Sequence, residues 1–199
     1  MTKLTLVAES DDPVRGLLQS AGNLIRQKGF GGTTVREIAE GAGVWPGTLH
    51  YYFPTKESIL LALMEQGIAG AEGGFRQALE ESDDPIERIR HAIRAHVRML
   101  VGNEAGTYVL LYEGRGLTGD ARTAMVRLRD RYDALWDGLL YQAVGTGRLR
   151  NGVDVRMTRL FILGSVNWVA QWYSPDGGKT PDQIGDEFAA ITLEGILGS

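Results

Sequence analysis

The sequence predicts an all-α chain, with a small N-terminal three-helix head followed by a larger helical body. Three observations carry this. Apolar residues recur at three- and four-residue spacing through nearly the whole chain, the period of an amphipathic helix. Alternation of the strand type is almost absent. The breaks between periodic segments carry helix start and stop signals, with capping residues, prolines and glycines in place of hairpin turns.

The head is read first. Leu17, Leu18, Ala21, Leu24 and Ile25 form one face of an opening helix, and Gly29 follows it in the position of a C-terminal cap. Thr34 to Glu37 reads T-V-R-E, a capping box, and starts a second helix with Val35, Ile38, Ala39 and Ala42 on one side. Gly43 breaks it, and Val44 lies in the tight turn. A short third helix runs from about Pro46, where proline suits the first helical position, to Phe53. Pro54 stops it and Thr55 caps the next.

The body reads as longer helices. One spans about Thr55 to Leu79, with Leu60, Leu63, Met64, Ile68 and Phe75 as a stripe facing the rest of the body. Ser82 to Pro85 is a turn that opens a helix to about Leu100, ended by Val101-Gly102-Asn103. A segment near 104–115 carries Tyr108, Leu111 and Tyr112, and Gly116 to Gly119 forms a loop. Helices near 120–143 and 154–173 are divided by a turn at Gly145 to Gly147. A polar loop, Ser174 to Lys179, precedes a last helix from about Pro181 to Leu197. The total is nine or ten helices in two units, 1–56 and 57–199.

Composition bounds the function. With 199 residues, 43% hydrophobic and 23% charged, the chain builds a real core. It has no cysteine, which excludes disulfides and thiolate metal sites. The N-terminus, MTKLTLVAESDD, lacks the apolar core of a signal peptide. The longest apolar stretch, Leu160 to Ala170, is interrupted by Ser165 and Asn167 and is too short to span a bilayer. A soluble cytoplasmic protein is expected. Net charge is −4, but residues 13–60 set Arg15, Arg26, Lys28, Arg36 and Lys56 against Glu37, Glu40 and Glu57. A modestly basic head on an acidic body is compatible with local phosphate contacts. His91 and His96, five residues apart, lie about 140° apart on a helix, so no metal site is expected. No nucleophile elbow, phosphate loop, dinucleotide fingerprint or zinc-protease motif occurs, and Gly70 to Gly74 follows no strand, so neither an enzyme nor a cofactor is expected.

The informative stretch is residues 30–57, FGGTTVREIAEGAGVWPGTLHYYFPTKE. Two short helices joined by a tight turn make a helix-turn-helix, in which the second helix enters the major groove of DNA. The order and register of Thr-Thr-Val, Ile-Ala, Ala-Gly-Val, Gly-Thr-Leu, Tyr-Phe and Lys-Glu resemble the TetR family of transcriptional regulators across about residues 13–60. The resemblance implies phosphate contacts from Thr33 and Thr34, and a phosphate or base contact from Arg36. It places Gly47 and Thr48 at the exposed start of the recognition helix and Tyr51 in its base-facing position. Lys56 falls at a phosphate-binding helix start. Two departures bear on base reading. Trp45-Pro46 replaces a small polar cap and a frequently basic residue, and His50 stands where a phosphate-contacting tyrosine is usual. Trp45 cannot cap the helix and therefore either packs or meets DNA. The residues also admit plainer roles: Arg36 pairing with Glu40, Lys56 as a solvated helix-start residue, and Leu49, Tyr52 and Phe53 as core.

For the body, the resemblance implies an effector cavity among the fifth to eighth helices, with Phe75, His91, Arg94, Tyr108, Tyr112 and Trp136 as candidates; each is also a candidate core residue. Residues 167–196 resemble the tail of TetR-type repressors that govern fatty-acid or sterol catabolism and respond to acyl-CoA thioesters. The partners implied are a double-stranded palindromic operator, a small apolar or amphipathic effector and a second copy of the chain. The dimer is expected to form a four-helix bundle from 120–143 and 154–173, using Leu135, Leu139, Leu160, Val166, Trp168 and Val169. The alternative is a helical dimeric ligand- or protein-binding module without sequence-specific DNA binding.

Overall fold

The computed structural model describes residues 13–102, 105–114 and 117–198. The N-terminal segment read for a signal, Asn103 and Gly116 lie outside the described residues. Ten helices occur among those described: α1 (Pro13–Lys28), α2 (Val35–Gly41), α3 (Pro46–Tyr52), α4 (Lys56–Leu79), α5 (Pro85–Val101), α6 (Ala105–Tyr112), α7 (Gly119–Gly145), α8 (Val155–Asn167), α9 (Val169–Trp172) and α10 (Pro181–Ile196).

In the head, Leu17, Ala21 and Ile25 of α1 bury against Ile38, Ala39, Leu49 and Phe53. The Ser20 hydroxyl donates to the Ile38 carbonyl at 2.9 Å and ties α1 to α2. Thr34 and Glu37 form the capping box expected of them. Gly43 takes φ +69°, a conformation that excludes ordinary side chains at low cost, and the Val44 amide then donates back to the Ala39 carbonyl at 3.0 Å. The turn between α2 and α3 is thus fixed by one glycine and by the backbone hydrogen bonds of Gly43 to Glu40 and of Val44 to Ala39.

α4 begins at the head and ends in the body, packing on α5, α6 and α7. Its start is closed by a reciprocal pair between Thr55 and Ser58. α10 lies along α5, where Gly185 permits a close approach to Arg94, and Arg94 pairs with Asp186 and Arg98 with Asp182 across the seam. An isolated antiparallel bridge joins Leu149, after α7, to Leu197, after α10.

The short helix α6 is wedged between head and body. A Cβ on Gly106 would lie 2.6 Å from the Leu63 carbonyl and 2.7 Å from the Gly67 nitrogen, and one on Gly22 of α1 would lie 2.2 Å from the Ala105 Cβ. Glycine alone allows the three backbones this proximity.

Two expectations change here. The segment 154–173 is two helices, because the chain resets at Trp168, whose amide bonds Ser165 at 3.3 Å. The apolar residues assigned jointly to core and interface also divide. Leu139, Val166 and Val169 are buried within the protomer, whereas Leu160 and Trp168 stand in solvent together with Met157 and Phe161 of α8 and Ile191 of α10. α7 packs on α4, α5 and α8 and leaves Val126, Tyr141 and Val144 exposed. The larger share of the exposed apolar side chains here lies on α8, at Trp168 and Trp172, and on α10.

Candidate nucleic-acid interface and effector cavity

The outer face of the head is built by α3. Trp45 is its N-cap residue and makes no side-chain cap, as its indole requires; the first turn closes through the Thr48 amide on the Trp45 carbonyl at 2.9 Å. Trp45 and Tyr51 are 80% and 82% exposed, and Gly47 and His50 are exposed beside them. Thr48 is half-buried, while Leu49 is wholly inside and anchors the helix. Tyr52 stays partly exposed and meets Tyr51 edge to face at 5.1 Å between ring centroids. The face thus offers two bare aromatic rings, a histidine and a glycine that lets backbone approach a groove.

The surrounding polar residues are more committed than the sequence suggests. Thr33 is 1% exposed and its hydroxyl donates to the Gly29 carbonyl at 2.9 Å, so it braces the loop and does not face outward. Thr34 is exposed but bound into the capping box. Arg36 is exposed and pairs with Glu40 at 2.9 Å. Lys28 lies 2.5 Å from Glu37, and this contact with the Thr34 hydrogen bonds holds the Glu37 carboxyl down at about 2. Lys56 turns inward: its ammonium donates to the Phe30 carbonyl at 2.9 Å and the Thr33 carbonyl at 3.0 Å, and sits 4.3 Å above the Phe30 ring. Two carbonyls and a ring face satisfy an ammonium well. Lys56 is therefore a clasp between the start of α4 and the loop before α2, a role that spacing alone does not reveal.

The body holds a cavity of about 630 Å³ bounded by α4 to α9. Ile68, Ala71, Leu100, Leu110, Leu111 and Leu163 give it apolar walls. Of the residues expected there, Tyr112 lines it, and its hydroxyl accepts from Gln171 at 2.7 Å. The other five stand outside the lining, each for a packing reason. Phe75 and Trp136 are buried edge to face against each other, at 5.1 Å, behind the wall. Tyr108 lies against Tyr112, Arg94 is held by Asp186, and His91 lies 3.7 Å from the Glu81 carboxylate.

The polar part of the wall was missed. His96 is buried and bridges two residues, with Nδ1 2.9 Å from the Tyr132 hydroxyl and Nε2 2.9 Å from the Asn167 side-chain oxygen. Burial drives the imidazole down to about 4, so it is neutral near pH 7, and burial also raises the Tyr132 phenol. With the amide oxygen facing the ring, Nε2 carries the proton and Nδ1 accepts from Tyr132. Nearby, Arg159 is clasped by Asp133 and by Asp137, the latter at 2.7 Å, and burial raises the Asp133 carboxyl. A signal for His96 exists in the sequence: it lies in register with Ile89, Ile93 and Leu100, the buried stripe of α5.

A helix-turn-helix with an exposed recognition helix, joined by a continuous helix to an all-helical body with a cavity open to the surface, defines a one-component transcriptional regulator. Residues 17–63 match the family described as bacterial regulatory proteins, tetR family, and residues 82–196 match the tetracyclin repressor-like C-terminal domain. The chain belongs to the TetR family. The HTH-type transcriptional repressor KstR2 of Mycobacterium tuberculosis is 29% identical over 182 residues, 90% of each chain. The fatty acid metabolism regulator protein of Bacillus subtilis is 27% identical over 181 residues, 90% of this chain and 93% of that one. The crystal structure of AibR in complex with isovaleryl coenzyme A and operator DNA matches with a TM-score of 0.81 at 28% identity, covering 90% of this chain and 97% of that one.

Proposed function

We propose that this protein is a ligand-responsive repressor that binds a palindromic operator as a homodimer and is released by an acyl-CoA thioester, and that it has no enzymatic role. One observation carries the reading: the exposed face of α3 and the cavity are joined by the same two helices. α4 carries the Lys56 clasp at its head end and Ile68 and Ala71 of the cavity wall further along. α6 supplies Thr107, Leu110, Leu111 and Tyr112 to the wall while Ala105 and Gly106 press on α1 and α4. A ligand that fills the cavity acts directly on the elements that set the head's position. The effector class is supported by the amphipathic wall and by the kinship with AibR, whose structure holds isovaleryl coenzyme A and operator DNA.

The dimer is assigned to α8 and α10, whose Met157, Leu160, Phe161, Trp168 and Ile191 form an uncovered apolar stripe. In such a dimer the recognition helices address major-groove faces about 34–36 Å apart.

A second reading, a ligand-binding dimer without DNA recognition, is favoured by the internal engagement of Lys28, Arg36 and Lys56. Binding to the DNA flanking its own gene, measured by anisotropy across a salt series, separates the two. A reader of DNA loses affinity steeply and log-linearly as salt rises. Binding that is absent, or indifferent to sequence, supports the second reading.

A further inference from the structure

We infer that the effector carries an oxygen, as a ketone or hydroxyl, on its acyl portion, and that Asn167 reads it. The inference rests on the reading of the cavity as an acyl-CoA site and goes on to specify the acyl group.

The cavity wall combines hydrocarbon from Ile68, Ala71, Leu100, Leu110 and Leu163 with a polar side that includes the place where α5, α7 and α8 meet. There Tyr132, His96 and Asn167 are joined in a chain of two 2.9 Å hydrogen bonds. The histidine spends both ring nitrogens inside that chain. Asn167 lines the cavity, and its amide N–H2 has no hydrogen bond among the described residues. The Asn167 amide is held in place, because its oxygen is fixed by a buried, neutral imidazole. This is a preorganised donor in the cavity wall, whereas Arg129 and Arg159 there are already engaged, with the Leu110 carbonyl and with Asp133 and Asp137.

A saturated chain laid against it strips water from the amide and returns nothing. A ketone or hydroxyl oxygen accepts its hydrogen bond. Leaving a buried donor unmatched costs enough to separate the two ligands by about tenfold or more. The thioester carbonyl, which every acyl-CoA carries, has other donors nearer solvent: exposed Arg129 and Gln171 also line the cavity. The charged nucleotide of coenzyme A stays outside, and the acyl group reaches the inner array, which backs onto fully buried Trp136.

The test is calorimetric titration of the purified full-length protein with octanoyl-CoA and with 3-oxo-, 3-hydroxy- and 8-hydroxyoctanoyl-CoA, repeated with Asn167→Leu and Tyr132→Phe. The expected result is that at least one oxygenated ligand binds tenfold or more tightly than octanoyl-CoA. Asn167→Leu should erase that preference by weakening the oxygenated ligand while leaving octanoyl-CoA unchanged or tighter. Equal binding of all four by the unaltered protein overturns the inference and needs no variant. Equal weakening of all four by Asn167→Leu also overturns it, since the amide then reads the thioester or holds the fold. If none of the four binds, the acyl-CoA reading itself fails, an outcome distinct from the other two.

Discussion

Lys56 shows how little a side chain's type says about its task. At the start of α4 it invites a phosphate, yet its ammonium is filled by two carbonyls and the Phe30 ring. Replacing it with alanine should lower the melting temperature and weaken operator binding while leaving the salt slope unchanged. Tyr51→Ala should leave stability intact and relax preference at one or two base pairs of each half-site. A salt slope that falls by about one unit in Lys56→Ala identifies the lysine as a phosphate ligand after all. His96 provides a second test. Its unfolded pKa is the ordinary 6.5 and its folded value is about 4, so between these the unfolded chain takes up a proton that the folded chain refuses. The stability this group supports is complete above pH 6.5 and falls as pH drops towards 4, by on the order of 3 kcal/mol at the limit. Asp133, raised by burial, works in the opposite direction, and Glu37 acts lower, between 4.5 and about 2. The informative quantity is therefore the difference between wild type and His96→Leu, whose denaturation midpoints should diverge across pH 6.5 to 4. Parallel curves contradict a buried, neutral His96. At this scale the sequence was least legible. Thr33, a candidate phosphate contact, and Phe75 and Trp136, candidates for either core or cavity, are all buried, and a polar residue facing inward or an aromatic residue behind a wall has the same one-dimensional signature as its exposed counterpart.

Helices were far more legible, since caps and breakers act locally. Thr34-Glu37 and Thr55 mark their helix starts, Asp84-Pro85 opens α5, and Thr180-Pro181 opens α10. The reset at Trp168 was not, because no proline or glycine marks it. Nor was the clamp of α6, which depends on which glycines from distant segments meet. Gly106→Ala forces a Cβ to within 2.7 Å of α4 backbone, where nothing flexible can yield. It should cost about 1–3 kcal/mol of stability. It should also weaken the response of DNA binding to effector, because α6 then rides away from Leu63 and Gly67. Chemical denaturation and operator release, measured on one preparation, check both. An unchanged midpoint removes α6 from the coupling path.

For the whole molecule, the helical class and the head-and-body division follow from periodicity, while the choice of dimer face depends on which apolar residues the protomer leaves uncovered. Phe161→Glu combined with Ile191→Glu should give a folded monomer in sedimentation at micromolar concentration, with operator affinity lost. Dimers that persist place the interface elsewhere. Coupling between cavity and head is a single equilibrium quantity. The most direct measurement is anisotropy of a labelled operator bound to the protein, titrated with a panel of acyl-CoA thioesters. At least one is expected to release the DNA, with operator affinity falling about a hundredfold, which corresponds to about 2.7 kcal/mol of coupling. A complex that stays intact while calorimetry shows the same thioester saturating the cavity contradicts it.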